Sequence, residues 1–133
     1  MGLDTPTPYR DFEGRVFQHR RDLVDLVRRL RTSGSRIHGY GASTKGNVLL
    51  QFCEFGPDDI EVIAEVNTEK YGKVTPGTGI PIVSEEESRA SGPDYLLVLP
   101  WHFREGIIAR EQDFLDDGGR LIFPLPEIEI IGR

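Results

Sequence analysis

The chain of 133 residues has a formal net charge of -6, and 38% of its residues are hydrophobic, as is usual for a globular protein in water. The acidic balance argues against general nucleic-acid binding, and no apolar run approaches the roughly 20 residues that span a bilayer. Because Cys53 is the one cysteine, neither an internal disulfide nor a cysteine-based metal site is available, so we expect a cytoplasmic protein without a bound metal.

The first elements predicted along the chain are a flexible lead-in and an amphipathic helix. Residues 1–10 are polar and proline-bearing, whereas apolar side chains recur at three- and four-residue steps over residues 12–32. We interpret residues 11–133 as a single domain that begins with this helix. Arginines cover much of the remaining helix surface, which is typical of a solvated face.

Strands and helices then alternate along the rest of the chain. Strands are predicted at residues 36–41, 60–66, 80–83, 94–100, 120–126 and 128–131, and helices at residues 45–55, 85–90 and 103–115. In the helix at 45–55, we expect Val48, Leu49 and Phe52 to form the buried side. Ser84, with Glu87 three residues later, has the spacing of a capping box.

This alternation indicates the fold class. We expect an α/β protein with a Rossmann-like, doubly wound, mainly parallel sheet that has helices on both faces and is preceded by an N-terminal helix. Ligands of such sheets bind beyond the carboxyl ends of the strands, near the point where the strand order reverses. Four loops should meet there, at residues 41–46, 65–70, 100–102 and 124–127.

The first of these loops has features of a phosphate-binding turn. Gly41 and Gly46 permit a close approach of the backbone to a ligand, and free N–H groups at a helix start attract anions. Ser43 and Thr44 add hydroxyl donors, and Lys45 adds a positive charge. The spacing matches neither G-x-G-x-x-G nor a P-loop, so a tight connection with a solvent-exposed lysine is the alternative interpretation.

The other loops carry further candidates. Glu65 and Asn67 follow a buried strand, where an acid can hold ribose hydroxyls in dinucleotide-binding folds, although a loop acid that faces water is the alternative. Trp101 could stack on a base or a sugar ring. His102 is a weak catalytic candidate because no partner for proton transfer can be identified, and we predict no other catalytic residue in the chain.

Four sequence motifs together suggest a family. They occur in the order GYGASTKGNVLLQF, NTEKYGKVTPGTGIPIVSEEE, PDYLLVLPWHF and GGRLIFPLPEIEI. The set resembles the C-terminal domain of SAM-dependent C-methyltransferases, a group that includes enzymes methylating nucleotide-linked keto-deoxysugars. The resemblance covers residues 12–131, and it implies a Rossmann-like domain that helps to bind the nucleotide-sugar substrate.

The resemblance also assigns substrate-binding residues. Val66 stands where many sugar enzymes have arginine, and His102 stands where many have asparagine, so the sugar and the nucleotide stay open. The implied set comprises Tyr40, Gly41, Ala42, Ser43, Thr44, Lys45, Gly46, Glu65, Asn67, Lys70, the Pro-Gly-Thr element Pro76, Gly77 and Thr78, and Trp101 and His102.

The resemblance places the cofactor outside this chain. In such enzymes a zinc-binding segment and a SAM-binding domain precede this domain, and the catalytic base lies outside it. We therefore expect SAM to bind to a domain in the same or a partner chain, and the isolated chain to be inactive. Two alternatives are a stand-alone NAD(P)- or CoA-binding domain that uses Glu65, and a non-catalytic module that docks through its arginine-bearing helix.

Overall fold

The computed structural model describes the backbone of residues 7–132 and the side chains of residues 14–132, and it has a six-stranded sheet between helices. In chain order the elements are α1 (Thr7–Thr32), β1 (Ile37–Tyr40), α2 (Thr44–Phe52), β2 (Ile63–Glu65), β3 (Ile82–Ser84), α3 (Glu85–Ala90), β4 (Tyr95–Val98), α4 (Arg104–Arg110), α5 (Gln112–Asp116), β5 (Arg120–Phe123) and β6 (Glu129–Ile131). Helix α1 begins upstream of its predicted start near residue 12. Residues 1–6 of the predicted lead-in lie outside the described residues.

The sheet has the strand order β3-β2-β1-β4-β5-β6. Strands β1 to β5 are parallel, and β6 is antiparallel to β5. The chain leaves β1 toward β2 on one side and reaches β4 on the other, so the strand order reverses at β1. The predicted α/β class, the mainly parallel sheet and the N-terminal helix are confirmed.

Two apolar cores cover the faces of the sheet. Leu23 of α1 and Leu50 of α2 belong to the first core, and Ile107 of α4 and Phe114 of α5 belong to the second. Successive strand residues alternate between these cores, as in a parallel sheet that is buried on both faces. We call the two sides of the sheet the α1/α2 face and the α3/α4 face, after the helices that cover them. Residues from the two faces can come together only at the ends of the strands.

The buried side of α2 differs from the prediction. Val48 and Phe52 are 61% and 37% exposed, although both were expected to be buried with Leu49. The buried positions of the helix and its C-cap are Gly46, Leu49, Leu50 and Cys53. Two sets of residues in α2 have helical spacing, Val48 with Phe52 and Gly46 with Leu49, Leu50 and Cys53. The second set is buried because Gly46 has no side chain and lets the backbone approach the sheet more closely.

The predicted helix at residues 103–115 is divided. Helix α4 ends at Arg110 and α5 begins at Gln112, with the buried Glu111 between them. The Glu111 carboxylate accepts hydrogen bonds from Tyr40 and Arg89, which ties this point of the chain to the sheet and to α3. Within the part of the chain that the structure describes, no helix is both long and apolar enough to cross a bilayer.

Candidate functional site

The β1–α2 turn lies directly on the end of β4. A Cβ atom placed on Gly41 would be 3.1 Å from Cδ of Pro100, and Gly41 has a φ of +79°. A Cβ atom on Gly46 would be 2.6 Å from Cβ of Leu99. Both glycines are therefore required for this close approach. It brings the predicted loops at residues 41–46 and 100–102 together at the carboxyl ends of the strands, which we call the carboxyl edge.

Hydrogen bonds fix which amides of the turn are already satisfied. Gly41 N–H donates to the Ala64 carbonyl over 2.8 Å. Ser43 is the N-cap of α2, and its hydroxyl accepts from Gly46 N–H at 3.0 Å. Because the first N–H groups of a helix have no intrahelical acceptor, the amides of Thr44 and Lys45 are the donors of α2 that an anion can use.

Glu65 fastens this turn to the end of β2. One of its carboxylate oxygens accepts from Ala42 N–H at 2.7 Å, and the other accepts from the amides of Val66 and Asn67 at 3.0 and 3.2 Å. Lys70 donates to the Ala42 carbonyl at 3.0 Å. With only 8% of the residue exposed, Glu65 uses its carboxylate to organise backbone rather than to face solvent.

Two hollows lie on either side of the turn. The larger has a volume of about 670 Å³ on the α1/α2 face, and the smaller has a volume of about 390 Å³ on the α3/α4 face. Lys45 and Trp101 line the larger hollow, whereas Ser43 and Pro100 line the smaller one. The turn and the start of the β4–α4 loop thus form a ridge between the two hollows.

The larger hollow is mostly apolar. Val16 of α1, Phe52 of α2 and Leu125 after β5 contribute to its walls, with Arg15 and His19 among the polar residues. The His19 ring is hydrogen-bonded to the Pro124 carbonyl, so α1 is connected to the loop that follows β5. Leu125, Pro126 and Glu127, from the loop predicted at residues 124–127, also line this hollow.

The smaller hollow ends in a hydrogen-bonded charge network. Arg110 donates to the Tyr40 hydroxyl at 2.9 Å and to Glu85 at 2.7 Å. The Tyr40 hydroxyl donates in turn to Glu111 at 3.0 Å. Burial, followed by the charge of Glu111, raises the pKa of Tyr40 well above its ordinary value, so this phenol stays protonated as a donor.

The structure distributes the predicted site residues unevenly over this region. Tyr40, Gly41, Ala42, Ser43 and Glu65 line the smaller hollow, and Lys45 and Trp101 line the larger one. Five other predicted residues lie at the carboxyl edge but line neither hollow: Thr44, Gly46, Asn67, Lys70 and His102. Among these, His102 is exposed, and its ring lies 4.3 Å from that of Phe103 at an interplanar angle of 43°.

The Pro-Gly-Thr element lies near the amino ends of the strands, which we call the amino edge, and so at the opposite end of the sheet from the β1–α2 turn. Gln51, in the last turn of α2, donates to the Pro76 carbonyl at 2.7 Å, and a Cβ on Gly77 would be 2.9 Å from the Gln51 amide nitrogen. Thr78 is hydrogen-bonded to Thr75 in the same turn. The chain after β2 must return to the amino edge before it can begin the parallel strand β3, and this carries residues 76–78 away from the β1–α2 turn.

Comparison with known proteins gives the family. A family model described as the C-methyltransferase C-terminal domain matches residues 1–126. The chain belongs to this family. It is also 39% identical over 131 residues to C-methyltransferase NovU of Streptomyces niveus, and this match covers 98% of the chain but 31% of the length of that protein. The family inferred from the four motifs is confirmed.

Several residues that line the hollows of this C-methyltransferase C-terminal domain were not predicted from the sequence. In the smaller hollow these are Ala64, Glu85, Phe103, Gly106, Ile107 and Arg110, and in the larger one they include Arg15, Val16 and His19. Phe103, Gly106, Ile107 and Arg110 have the three- and four-residue spacing of one helix face. That spacing, next to a predicted strand end, was the available signal.

The residues of this domain do not fit SAM at the position where a dinucleotide fold would hold it. Glu65 is the acid at the end of β2, but backbone amides of Ala42, Val66 and Asn67 occupy three of the roughly four acceptor positions of its carboxylate, which leaves too few for a pair of ribose hydroxyls. Among the described residues, no three His, Cys, Asp or Glu side chains form a group that could hold a metal ion.

Proposed function

We propose that this chain is the substrate-binding domain of a SAM-dependent C-methyltransferase, and that its ligand is a nucleotide-linked sugar. The observation that carries the proposal is the ridge at the β1–α2 turn, which bears anion donors and separates two hollows. Membership of the C-methyltransferase C-terminal domain family supplies the reaction class.

A nucleotide-linked sugar has a base with its ribose at one end, a sugar at the other and a diphosphate between them. The ridge offers the N–H groups of Thr44 and Lys45 and the Lys45 ammonium group, all of which suit phosphate oxygens. The hollows on its two sides suit the two uncharged ends. Each has an aromatic residue that a ring can stack on, Trp101 in the larger and Phe103, 62% exposed, in the smaller.

Methyl transfer itself requires a second domain in this proposal. SAM would supply the methyl group from a site in the same or a partner chain, since Glu65 is unsuited to bind its ribose. This domain would hold the substrate and orient it, and the chain alone would not methylate. The relative from Streptomyces niveus supports this division, because it is named a C-methyltransferase and is more than three times as long as the matched region.

The other two functions that the sequence left open have less support. A stand-alone NAD(P)- or CoA-binding domain would need Glu65 for ribose, and its carboxylate already accepts backbone hydrogen bonds. For a module that docks through α1, the arginines of that helix should be free. Arg20, Arg28 and Arg31 instead form salt bridges with residues outside the helix, whereas Arg21 and Arg29 are hydrogen-bonded within α1.

Isothermal titration tests the proposal, with dTDP, UDP and their sugars as ligands. We expect the Lys45→Ala variant to bind each of them roughly tenfold or more weakly, since a hydrogen bond to a charged group is worth about 1.5–3 kcal/mol. Lys73→Ala, at an exposed lysine that lines neither hollow, is the matched control and should bind like the wild type. No heat with any ligand, or equal affinity of Lys45→Ala and wild type, would refute the proposal.

A further inference from the structure

We infer that Glu65 is a positioning residue, which sets the conformation of the β1–α2 turn and does not itself touch the ligand. The inference rests on the proposed function as far as it concerns the ligand. It assigns Glu65 a role that differs from the ribose-binding role of an acid at the end of the second strand, and the contacts of its carboxylate decide between the two roles.

Both carboxylate oxygens of Glu65 already have donors. The oxygen Oε2 accepts from Ala42 N–H at 2.7 Å and lies 3.9 Å from the Lys70 ammonium, while Oε1 accepts from Val66 N–H at 3.0 Å and Asn67 N–H at 3.2 Å. The Glu65 side chain is 9% exposed. Three amides fill three of the roughly four acceptor positions of a carboxylate, so a pair of ribose hydroxyls could bind here only by displacing a backbone amide, which would leave that part-buried amide unsatisfied.

The same contacts hold the peptide groups on both sides of Ala42. Its N–H donates to Glu65, and its carbonyl accepts from Lys70 at 3.0 Å. The next residue, Ser43, is the N-cap of α2, with an extended backbone at φ −144° and ψ 160°. Glu65 and Lys70 therefore determine where the chain enters α2, and through this the direction of the amides at Thr44 and Lys45.

The two possible roles of Glu65 predict different ligand dependence. If Glu65 positions the turn, its loss weakens every ligand that places phosphates there, including inorganic pyrophosphate, which has no ribose. If Glu65 binds ribose, its loss weakens UDP but leaves pyrophosphate unchanged. Glu65→Gln is the suitable variant because it keeps the size and one acceptor oxygen, whereas its NH₂ group cannot accept from a backbone amide.

The experiment is a titration of the whole chain, wild type and Glu65→Gln, with pyrophosphate and with UDP. We expect the variant to lose affinity for both ligands by the same factor, about tenfold or more, because each hydrogen bond to a phosphate oxygen depends on the direction of its donor. Weakened binding of UDP alone, or unchanged binding of both, would overturn the inference. The matched control is Glu69→Gln, which removes the same charge from an exposed neighbouring residue and should bind both ligands normally.

A second control separates positioning from loss of stability. Glu61 accepts from His38 and Arg36 and lies before β2, away from the carboxyl edge, so Glu61→Gln disturbs the fold without touching the turn. We expect this variant to keep its affinity for pyrophosphate and UDP while it is folded. An equal loss of affinity in Glu61→Gln and Glu65→Gln would show a general effect of destabilisation and would also overturn the inference.

Amide hydrogen exchange tests the positioning role without a ligand. We expect the Ala42 amide to exchange at least about tenfold faster in Glu65→Gln, and faster also in Lys70→Met, while the amide of Leu97 within the sheet is unaffected. Unchanged exchange at Ala42 would refute the role. A wild type that binds neither pyrophosphate nor UDP would instead remove the proposed function, so the two failures can be distinguished.

Discussion

Gly46, in the first turn of α2, packs directly against Leu99, the residue that follows β4. A Cβ on Gly46 would lie 2.6 Å from Cβ of Leu99 and 2.9 Å from the Ser43 hydroxyl oxygen that caps the helix. Neither neighbour can move freely, because Leu99 is 1% exposed and Ser43 holds the cap. This contact therefore sets the distance between the start of α2 and the end of β4.

Replacement of Gly46 by alanine should therefore destabilise the domain and shift the turn. We expect the Gly46→Ala variant to lose about 1–3 kcal/mol in the free energy of unfolding, the usual cost of overpacking a filled core. Urea denaturation followed by circular dichroism measures this. Gly14→Ala in α1 is the matched control, because its new Cβ would meet nothing within 4 Å and should be neutral or stabilising. Equal stability of the two variants would contradict the packing argument.

The buried His38 should make stability depend on pH. Burial lowers the pKa of His38 below 6.5; the nearby Arg36 and Arg31 act in the same direction, and Glu61 opposes it. The unfolded state then binds a proton more readily than the folded state, so the free energy of unfolding should decrease as the pH falls below about 6.5. Urea denaturation at about pH 8 and about pH 5.5 measures the difference.

The control for this pH dependence is His38→Gln, which cannot titrate in that window. Whatever its free energy of unfolding at about pH 8, this quantity should change less between the two pH values than that of the wild type. Glu61 has a lowered pKa and titrates below 4.5, outside the window. A wild type that is equally stable at both pH values would contradict the assigned burial of His38.

Cys53 should be unreactive in the folded protein. The residue is 1% exposed, and burial raises the pKa of its thiol to about 11, so little thiolate exists at neutral pH. We expect Ellman's reagent to modify native protein only at the rate of unfolding, and to modify denatured protein at once. A rapid reaction of one thiol per chain under native conditions would place Cys53 at the surface and contradict the packing of α2.

The two hollows predict a division of ligand contacts between Trp101 and Phe103. An intact nucleotide-linked sugar should bind more weakly to both Trp101→Ala and Phe103→Ala, by about 1–3 kcal/mol for each ring that stacks. UDP has the base and its ribose but not the second sugar, so only one of these substitutions should weaken its binding. Val74→Ala, which shortens an exposed apolar side chain that lines neither hollow, is the control. If UDP is weakened by both variants or by neither, the ligand does not span the ridge.

The overall fold was predictable because its signals are redundant. Buried strands such as β4 are continuous apolar runs, and Ser84 is the N-cap of α3, where its hydroxyl accepts from Glu87 N–H as the capping signature indicated. The choice of the buried face of α2 was not predictable, because Val48 and Phe52 have the same helical spacing as the stripe that is buried. Tertiary packing at Gly46 decided between them.

The positions of the candidate site residues were predictable only where position along a strand determines position in space. Gly41 and Pro100 each follow a parallel strand, so the topology alone places them side by side. Residues 76–78 belong to a connection whose path no local pattern specifies, and they lie at the amino edge. The role of Glu65 was also hidden, since an acid that binds ribose and an acid that holds a turn look alike in sequence.

The most direct test of the central claim is to map the binding of UDP by amide chemical shifts in a ¹⁵N-labelled sample of the whole chain. The account predicts the largest shifts at Ser43, Thr44 and Lys45, smaller shifts at Trp101 or Phe103, and none at residues 76–78. Largest shifts at residues 76–78, or no shift at the β1–α2 turn when UDP is saturating, would contradict it.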